Sequence, residues 1–150
     1  MKKVSFLLIL MLISLKLFSQ ATTAYSLYVE NRTNCDQTYV IYAADFCQCP
    51  VVAKSTPITI PPGGVHNYPN TMSVPGLGGF PPLGFVAAVI PDGPLACNPP
   101  NGIVGQPVCG YPALYSYVSL DAGCNRCTQA RAQWFPSVNS CQEGARLLFY

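Results

Sequence analysis

Apolar and polar residues alternate along several short segments of this chain. In residues 25–30, Tyr, Leu and Val at the odd positions alternate with Ser, Tyr and Glu at the even positions. This period of two predicts a half-buried strand. After a polar break, residues 38–43 continue with β-branched and aromatic side chains, so the two segments are predicted to pair as a hairpin.

Prolines and glycines bound the next predicted strands. Residues 57–60 form a short apolar strand that stops at the Pro-Pro-Gly-Gly sequence 61–64, which forces a turn. Residues 65–68 are predicted as the return strand, with odd and even positions facing opposite ways. Residues 69–84 show no period and are predicted to form a long loop.

An unbroken apolar run, residues 84–90, is the strongest core candidate, and its length suits a central strand buried on both faces. The proline-rich residues 91–112 are predicted to be an irregular loop. Alternation returns in residues 114–120, which predicts a further strand. Residues 127–134 carry tolerable helix formers and predict one or two helical turns that end before Pro136.

The last segment, residues 145–150, is predicted to be an apolar terminal strand. Left unpaired, it would expose an adhesive edge. It is therefore predicted to pair inside the domain, and self-association by strand addition to a neighbouring molecule is the alternative. About seven short strands without a long helical period predict an all-β, disulfide-stabilised antiparallel β-sandwich with long Pro/Gly-rich loops.

Residues 1–20 have the pattern of a signal peptide. Two lysines precede an apolar run that Ser14 and Lys16 interrupt, well short of the roughly 20 residues that a membrane helix needs. Cleavage near Gln20 or Ala21 would leave one secreted domain, residues 21–150, extracellular or periplasmic and not inserted in a membrane. An uncleaved anchor would place Lys16 in the bilayer at a cost of about 2.5–3.5 kcal/mol.

Removal of this segment also changes the charge balance. Three of the eight basic residues lie within it, so five remain against six acidic residues. The mature domain is then nearly neutral, so we expect no strongly basic surface of the kind typical of nucleic-acid binding or of attachment to anionic membranes.

The eight cysteines all lie after residue 20, and an even number in an exported chain predicts four disulfides, each contributing about 2–4 kcal/mol. The sequence leaves 105 connectivities open. Cys97–Cys109 is the first choice because both lie in one proline-rich loop. Two pairs of cysteines are close in sequence, Cys47 with Cys49 and Cys124 with Cys127, and these two pairs could also bond to each other. The cysteines are Cys35, Cys47, Cys49, Cys97, Cys109, Cys124, Cys127 and Cys141.

The close pairs also raise two alternatives, a zinc site and a redox centre. Two pairs could supply four thiolates to zinc, but Cys47 and Cys49 are separated by one residue instead of the usual two to four. The Cys124–Cys127 spacing suits a thioredoxin-like centre, but no βαβ unit surrounds it. We therefore expect no metal and no cofactor.

Catalytic chemistry has weak support in the sequence. His66 is the only histidine, and no motif joins it to a nucleophile and a carboxylate. A carboxylate-based, glycosidase-like hydrolase needs only two acids close in space, so it stays as the alternative. The triplet Asn31-Arg32-Thr33 matches the N-glycosylation pattern and is treated as a chance match.

Aromatic residues on the strands are the other candidate site. Tyrosines on one outer sheet face could stack on sugars or pack against a protein. The predicted function is a secreted, non-enzymatic module that binds a glycan, a protein or a cell surface, or that contributes to an extracellular structure. The candidate binding residues are Tyr28, Tyr39, Tyr42, Tyr115, Tyr117 and His66.

Three segments resemble the opening strands of thaumatin-like proteins. They are residues 29–35 (Val-Glu-Asn-Arg-Thr-Asn-Cys), 38–43 (Thr-Tyr-Val-Ile-Tyr-Ala) and 58–68. The resemblance covers about the first third of the mature chain. It implies a disulfide-bonded sandwich. The family's acidic cleft has no counterpart here, and most members carry twice as many cysteines, so the resemblance implies little about activity.

Overall fold

The computed structural model describes residues 21–150, so the predicted signal peptide lies outside the described residues. Ten strands form two sheets around one core, and three short 3₁₀ segments lie in the loops. Within residues 21–150, no helix has the length and apolar character needed to cross a membrane. The strands are β1 Ser26–Asn31, β2 Gln37–Ala44, β3 Val51–Lys54, β4 Ile58–Ile60, β5 Val65–Tyr68, β6 Gly84–Pro91, β7 Asn101–Gly105, β8 Leu114–Leu120, β9 Arg126–Phe135 and β10 Gly144–Phe149.

The first sheet has the order β5-β1-β10-β9-β8. Its centre is the terminal strand β10, in which Leu147 pairs with Val29 of β1 in parallel and with Trp134 of β9 in antiparallel fashion. The predicted internal pairing of the chain end is therefore confirmed, and both edges of β10 are occupied. The sheet is mixed, however, and not wholly antiparallel as expected.

The second sheet has the order β3-β2-β6-β7, and the short β4 pairs with the same edge of β2 as β3. Strand β6 lies between β2 and β7, and seven of its eight residues are buried. This confirms the predicted central strand. The core between the sheets contains large, fully buried side chains from both, including Trp134, Tyr39, Phe85 and Phe149.

Two predicted strand pairings are wrong. Strands β1 and β2 belong to different sheets, and so do β4 and β5. The turn at 61–64 carries the chain from one sheet to the other, and Gly63 there adopts a φ of 70°. This turn bonds to the end of β1, because Gly63 N donates to Asn31 O at 2.8 Å and Asn31 N donates to Gly64 O at 3.0 Å. A period of two marks each strand but does not indicate which partner it takes.

Strands β3 and β7 were not predicted, and β9 replaces the predicted helical turns. In β9, Ala130, Ala132 and Trp134 are buried while the residues between them point outward, so the period is two. Tertiary pairing with β8 and β10 overrides local helix propensity here. In β7, Gly105 packs so closely on β6 that an added Cβ would lie 2.6 Å from Ala87 Cβ.

Four disulfides join the chain, two at each end of the sandwich. The pairs are Cys35–Cys127, Cys47–Cys141, Cys49–Cys109 and Cys97–Cys124. All eight cysteines are bonded, which confirms the predicted number.

Both predicted cysteine connections are wrong, because strands separate the partners. Cys97 and Cys109 flank β7, whose five residues span about 13 Å, whereas bridged Cα atoms lie within about 7 Å. The two close pairs lie at opposite ends of the eight-residue strand β2: Cys47 follows it, whereas Cys127 bonds to Cys35, which precedes it. They cannot join each other.

Candidate functional site

The six residues predicted to bind do not share one face. Tyr39 is fully buried and Tyr117 nearly so, and both lie in the core between the sheets. Tyr42 packs on the opposite side of the second sheet, against a small cluster with Val86 and Ala87. Only Tyr28 lies on the outward side of the first sheet. The expectation of a common tyrosine face is therefore corrected.

His66 lies in a cluster of hydroxyl groups at the edge of the sandwich. Its Nδ1 is 2.7 Å from the Tyr39 hydroxyl and 3.4 Å from the Tyr68 hydroxyl, and the two hydroxyls are 3.0 Å apart. Burial lowers the pKa of His66 and raises those of both tyrosines. No carboxylate takes part in these bonds, so the cluster joins strands and lacks the acidic partner of a hydrolase triad.

The tyrosine pair on β8 is likewise structural. The rings of Tyr115 and Tyr117 stack with centroids 5.2 Å apart. Tyr115 donates to Asp92 Oδ1 at 2.7 Å, and Tyr117 donates to Gln37 Oε1. Burial, followed by the bond to Asp92, raises the pKa of Tyr115 to about 12, and burial raises the pKa of Asp92. Both hydroxyls are thus engaged inside the domain.

Four of the six acidic side chains of residues 21–150 are engaged in hydrogen bonds. Glu30, Asp92, Asp121 and Glu143 each accept hydrogen bonds from neighbouring groups. Of four cavities in the part of the chain that the structure describes, with volumes of about 490, 680, 110 and 270 Å³, none is lined by two carboxylates. The same residues contain no group of three or more His, Cys, Asp or Glu side chains arranged to hold a metal ion.

Asn31, the acceptor of the glycosylation-like triplet, is fully buried. Its Nδ2 donates to Cys35 O at 2.8 Å and to Ile60 O at 3.0 Å, while its Oδ1 accepts from Thr33 N and Oγ1. The amide is therefore fully used in joining β1 to the following loop and β4, and in the folded domain it is not accessible to a modifying enzyme.

The outward side of the first sheet carries a different cluster. The pairing register places Tyr28, Arg146 and Phe135 side by side on β1, β10 and β9. The Arg146 guanidinium carbon lies 5.5 Å from the centroid of the Tyr28 ring and 5.9 Å from that of Phe135. A cation between two rings is attracted to the negative face of each. We call this outward side the arginine–aromatic face.

Apolar and polar side chains extend this face toward β8. Register places Leu148 of β10 beside Gln133 of β9, and Gln133 beside Leu114 of β8. Leu114 is about half exposed, whereas Leu148 is buried and forms the floor. Tyr150 donates to Gln133 Oε1 at 2.7 Å, so its ring is fixed beside this row.

Next to Tyr150 the face opens into a shallow depression of about 490 Å³. Its walls include Ser116 and Val118 of β8 and Gln129 and Arg131 of β9. The Arg131 and Tyr150 backbones bond to each other at 2.8 and 3.1 Å, which places Arg131 beside the end of the central strand.

The charges on the face are partly paired. Arg32 donates through Nε and NH2 to the two carboxylate oxygens of Glu30, at 2.7 and 3.0 Å. The bond from Arg32 is the main reason that the pKa of Glu30 is lowered. Arg146 lies 4.0 Å from the same carboxylate, at the limit of an ion pair.

A second, separate cavity lies at the end of the sandwich near Cys47. It encloses about 680 Å³ and is lined by Tyr25, Phe46, Pro82, Leu83 and Gln142. The Tyr25 and Phe46 rings meet edge to face at 6.4 Å. This cavity is mostly apolar and carries no charged side chain in its lining.

Sequence reasoning identified Tyr28 but missed the other residues of the arginine–aromatic face, Phe135, Arg146, Arg131 and Leu114. The sequence contained a signal for Arg131 and Phe135, because polar or aromatic residues that point outward alternate with apolar residues that point inward along residues 129–135. Helix propensity concealed it. Their assembly with Tyr28 depends on the order β1-β10-β9, in which residues more than a hundred positions apart become neighbours.

Comparison of the chain with models of protein families, with curated proteins and with solved structures finds no match. The resemblance of the first strands to thaumatin-like proteins stays a prediction.

Proposed function

We propose that this chain is a secreted, non-enzymatic module that binds an extracellular glycan through the arginine–aromatic face. Export is supported by four disulfides, which persist in oxidising compartments. The observation that carries the binding proposal is the exposed Arg146 guanidinium held between the rings of Tyr28 and Phe135.

The row formed by Tyr28, Arg146 and Phe135 has the chemistry to bind a sugar. A pyranose ring presents an apolar C–H side, which packs on aromatic rings, and hydroxyl groups at its rim, which a guanidinium can bind as acceptors. Arg146 sits between two rings, so stacking and hydrogen bonding are available to one ligand unit at once. The neighbouring amide of Gln133 adds a further polar group on the same side.

The row of Tyr28, Arg146 and Phe135 has dimensions that suit an extended glycan. It crosses three neighbouring strands, about 10 Å at about 4.8 Å spacing. A stable protein interface buries about 800 Å² on each partner. An extended oligosaccharide needs only a narrow track, which the rows of this sheet supply.

The rival hydrolase finds less support. It requires two carboxylates facing one cleft, and the acids with described hydrogen bonds serve turns, strand ends and the Arg32 ion pair. Asp92 has a raised pKa, but its Oδ1 accepts from Tyr115 inside the sandwich.

The test is a quantitative binding screen of residues 21–150 against an array of soluble and insoluble polysaccharides. Tyr28→Ala and Phe135→Ala should each weaken binding of any retained glycan at least tenfold. Tyr25→Ala is the matched control, because Tyr25 is an exposed tyrosine at the separate apolar cavity. Unchanged thermal unfolding of the variants shows that folding is intact.

Two results would overturn the proposal. One is the absence of binding to every glycan on the array. The other is a loss of binding in Tyr25→Ala but not in Tyr28→Ala or Phe135→Ala, which would assign the site to the apolar cavity. Glycan turnover by the wild-type domain would instead support the hydrolase.

A further inference from the structure

We infer that the glycan bound by the arginine–aromatic face is acidic, and that its carboxylates pair with Arg146 and Arg131; this rests on the proposed function and adds the ligand's charge to it.

Arg146 retains free donors. Its only ion-pair partner within residues 21–150 is Glu30, at 4.0 Å, and both oxygens of that carboxylate already accept from Arg32. Half of the Arg146 side chain is exposed, at 51 %. A guanidinium has five N–H donors arranged to bind a carboxylate in two-pronged fashion. Arg146 is therefore oriented by its two rings but not neutralised.

Arg131 is similarly unsatisfied. Its guanidinium has no side-chain hydrogen bond and no ion pair with any group of residues 21–150, and the side chain is exposed at the rim of the 490 Å³ depression. Ser116 and Gln129 in the same lining offer hydroxyl and amide groups that can bind the remaining polar atoms of a sugar.

The two arginines lie along one line of the sheet. The Arg131 backbone is hydrogen-bonded to that of Tyr150, which directly follows β10 and is four residues after Arg146. Four residues of extended chain cover about 13 Å. A linear glycan lying along β10 can therefore place one carboxylate at each arginine, with the stretch between them over Leu148 and Gln133.

Charge complementarity favours an acidic over a neutral ligand. The face collects Arg32, Arg131 and Arg146, three of the five basic residues of 21–150, and Glu30 is the one acidic side chain among its described strand residues. The domain as a whole is close to neutral, so the sequence total conceals this separation. A carboxylate in contact with an exposed arginine gains affinity that falls as salt rises.

The experiment compares acidic glycans with their own neutral forms. Polygalacturonate, alginate and hyaluronate, each with its fully methyl-esterified form, are titrated into residues 21–150 at 50 and 500 mM NaCl. At least one acid form should bind tenfold or more tightly than its ester and lose most of that advantage at 500 mM NaCl.

Substitutions then assign the charge to the two arginines. Arg131→Gln and Arg146→Gln should each weaken binding of the acid form about fivefold or more, while binding of the ester changes less than twofold. Lys54→Gln on β3 of the second sheet, an exposed basic residue away from the face, is the matched control and should leave both affinities unchanged.

The outcomes separate the inference from the function on which it rests. Equal binding of acid and ester forms across the panel, reduced by Tyr28→Ala, overturns the inference and retains glycan binding. Binding of neither form, together with a negative polysaccharide array, overturns both. Acid binding that is insensitive to both arginine substitutions also overturns the inference, whether or not Lys54→Gln weakens it.

Discussion

The hydroxyl of Tyr39 on β2 lies 2.7 Å from Nδ1 of His66 on β5, and this contact connects the second sheet to the edge strand of the first. With the ring proton on Nε2, neutral His66 accepts from Tyr39, and Tyr68 donates to Tyr39 at 3.0 Å. The Tyr39 hydroxyl then both donates and accepts a hydrogen bond, although Tyr39 itself is fully buried.

This cluster predicts a pH-dependent stability. Burial lowers the pKa of His66 in the folded domain below its ordinary value of about 6.5. The unfolded chain then binds the proton more readily, so the free energy of unfolding is highest above about pH 6.5 and decreases as the pH falls from there to the folded pKa. The unfolding temperature of the wild type should decrease as the pH falls from 7.5 to 5, and the His66→Asn variant should lack this decrease. Parallel curves for the two proteins would contradict this.

A side chain at position 105 of β7, where the protein has glycine, would disturb the packing of β7 on β6. An alanine Cβ there would lie 2.6 Å from both Ala87 Cβ and the backbone oxygen of Val86, so β6 and β7 would have to separate. We expect Gly105→Ala to lower the free energy of unfolding by about 1–3 kcal/mol in urea titrations. Gly79→Ala is the control, because no atom lies within 4 Å of its added Cβ, and it should change stability by less than about 0.5 kcal/mol.

Removal of different disulfides should lower the stability of the domain by different amounts. Cys35–Cys127 closes a separation of 92 residues, whereas Cys97–Cys124 closes one of 27. Loop-closure entropy assigns about 4.6 and about 3.5 kcal/mol to these two bridges. The double alanine variant at Cys35 and Cys127 should therefore unfold at lower urea concentration than the one at Cys97 and Cys124. Equal midpoints or the reverse order would show that native-state contacts outweigh chain entropy.

Loss of the buried Asn31 amide should strongly lower the free energy of unfolding. Asn31→Ala removes the partners of Cys35 O, Ile60 O and Thr33 N, and unsatisfied buried groups cost about 1–3 kcal/mol each. We expect a loss of at least about 2 kcal/mol by urea unfolding. Asn67→Ala, on the exposed side of β5, should be nearly neutral. A similarly small effect at Asn31 would mean that water replaces the amide.

Alternation and length were enough to locate most strands from the sequence. Residues 84–90 are continuous and apolar because β6 is buried on both faces, and the segments at 25–30, 65–68 and 114–120 alternate because each strand has one buried side. Strand β7 was not located because its two glycines resemble a loop in the sequence, although Gly105 packs against β6 and Gly102 against the ring of Tyr115.

The sequence by itself determined the all-β class, the number of disulfides and the position of a terminal strand, because these follow from local periodicity and from the parity of cysteines. Only the tertiary structure decided that β1 pairs with β10 instead of β2, that Cys35 bonds to Cys127, and that Arg146 lies between Tyr28 and Phe135. The physical reason is that a strand's alternation records which side is buried, whereas its neighbours are selected by packing between segments far apart in the chain.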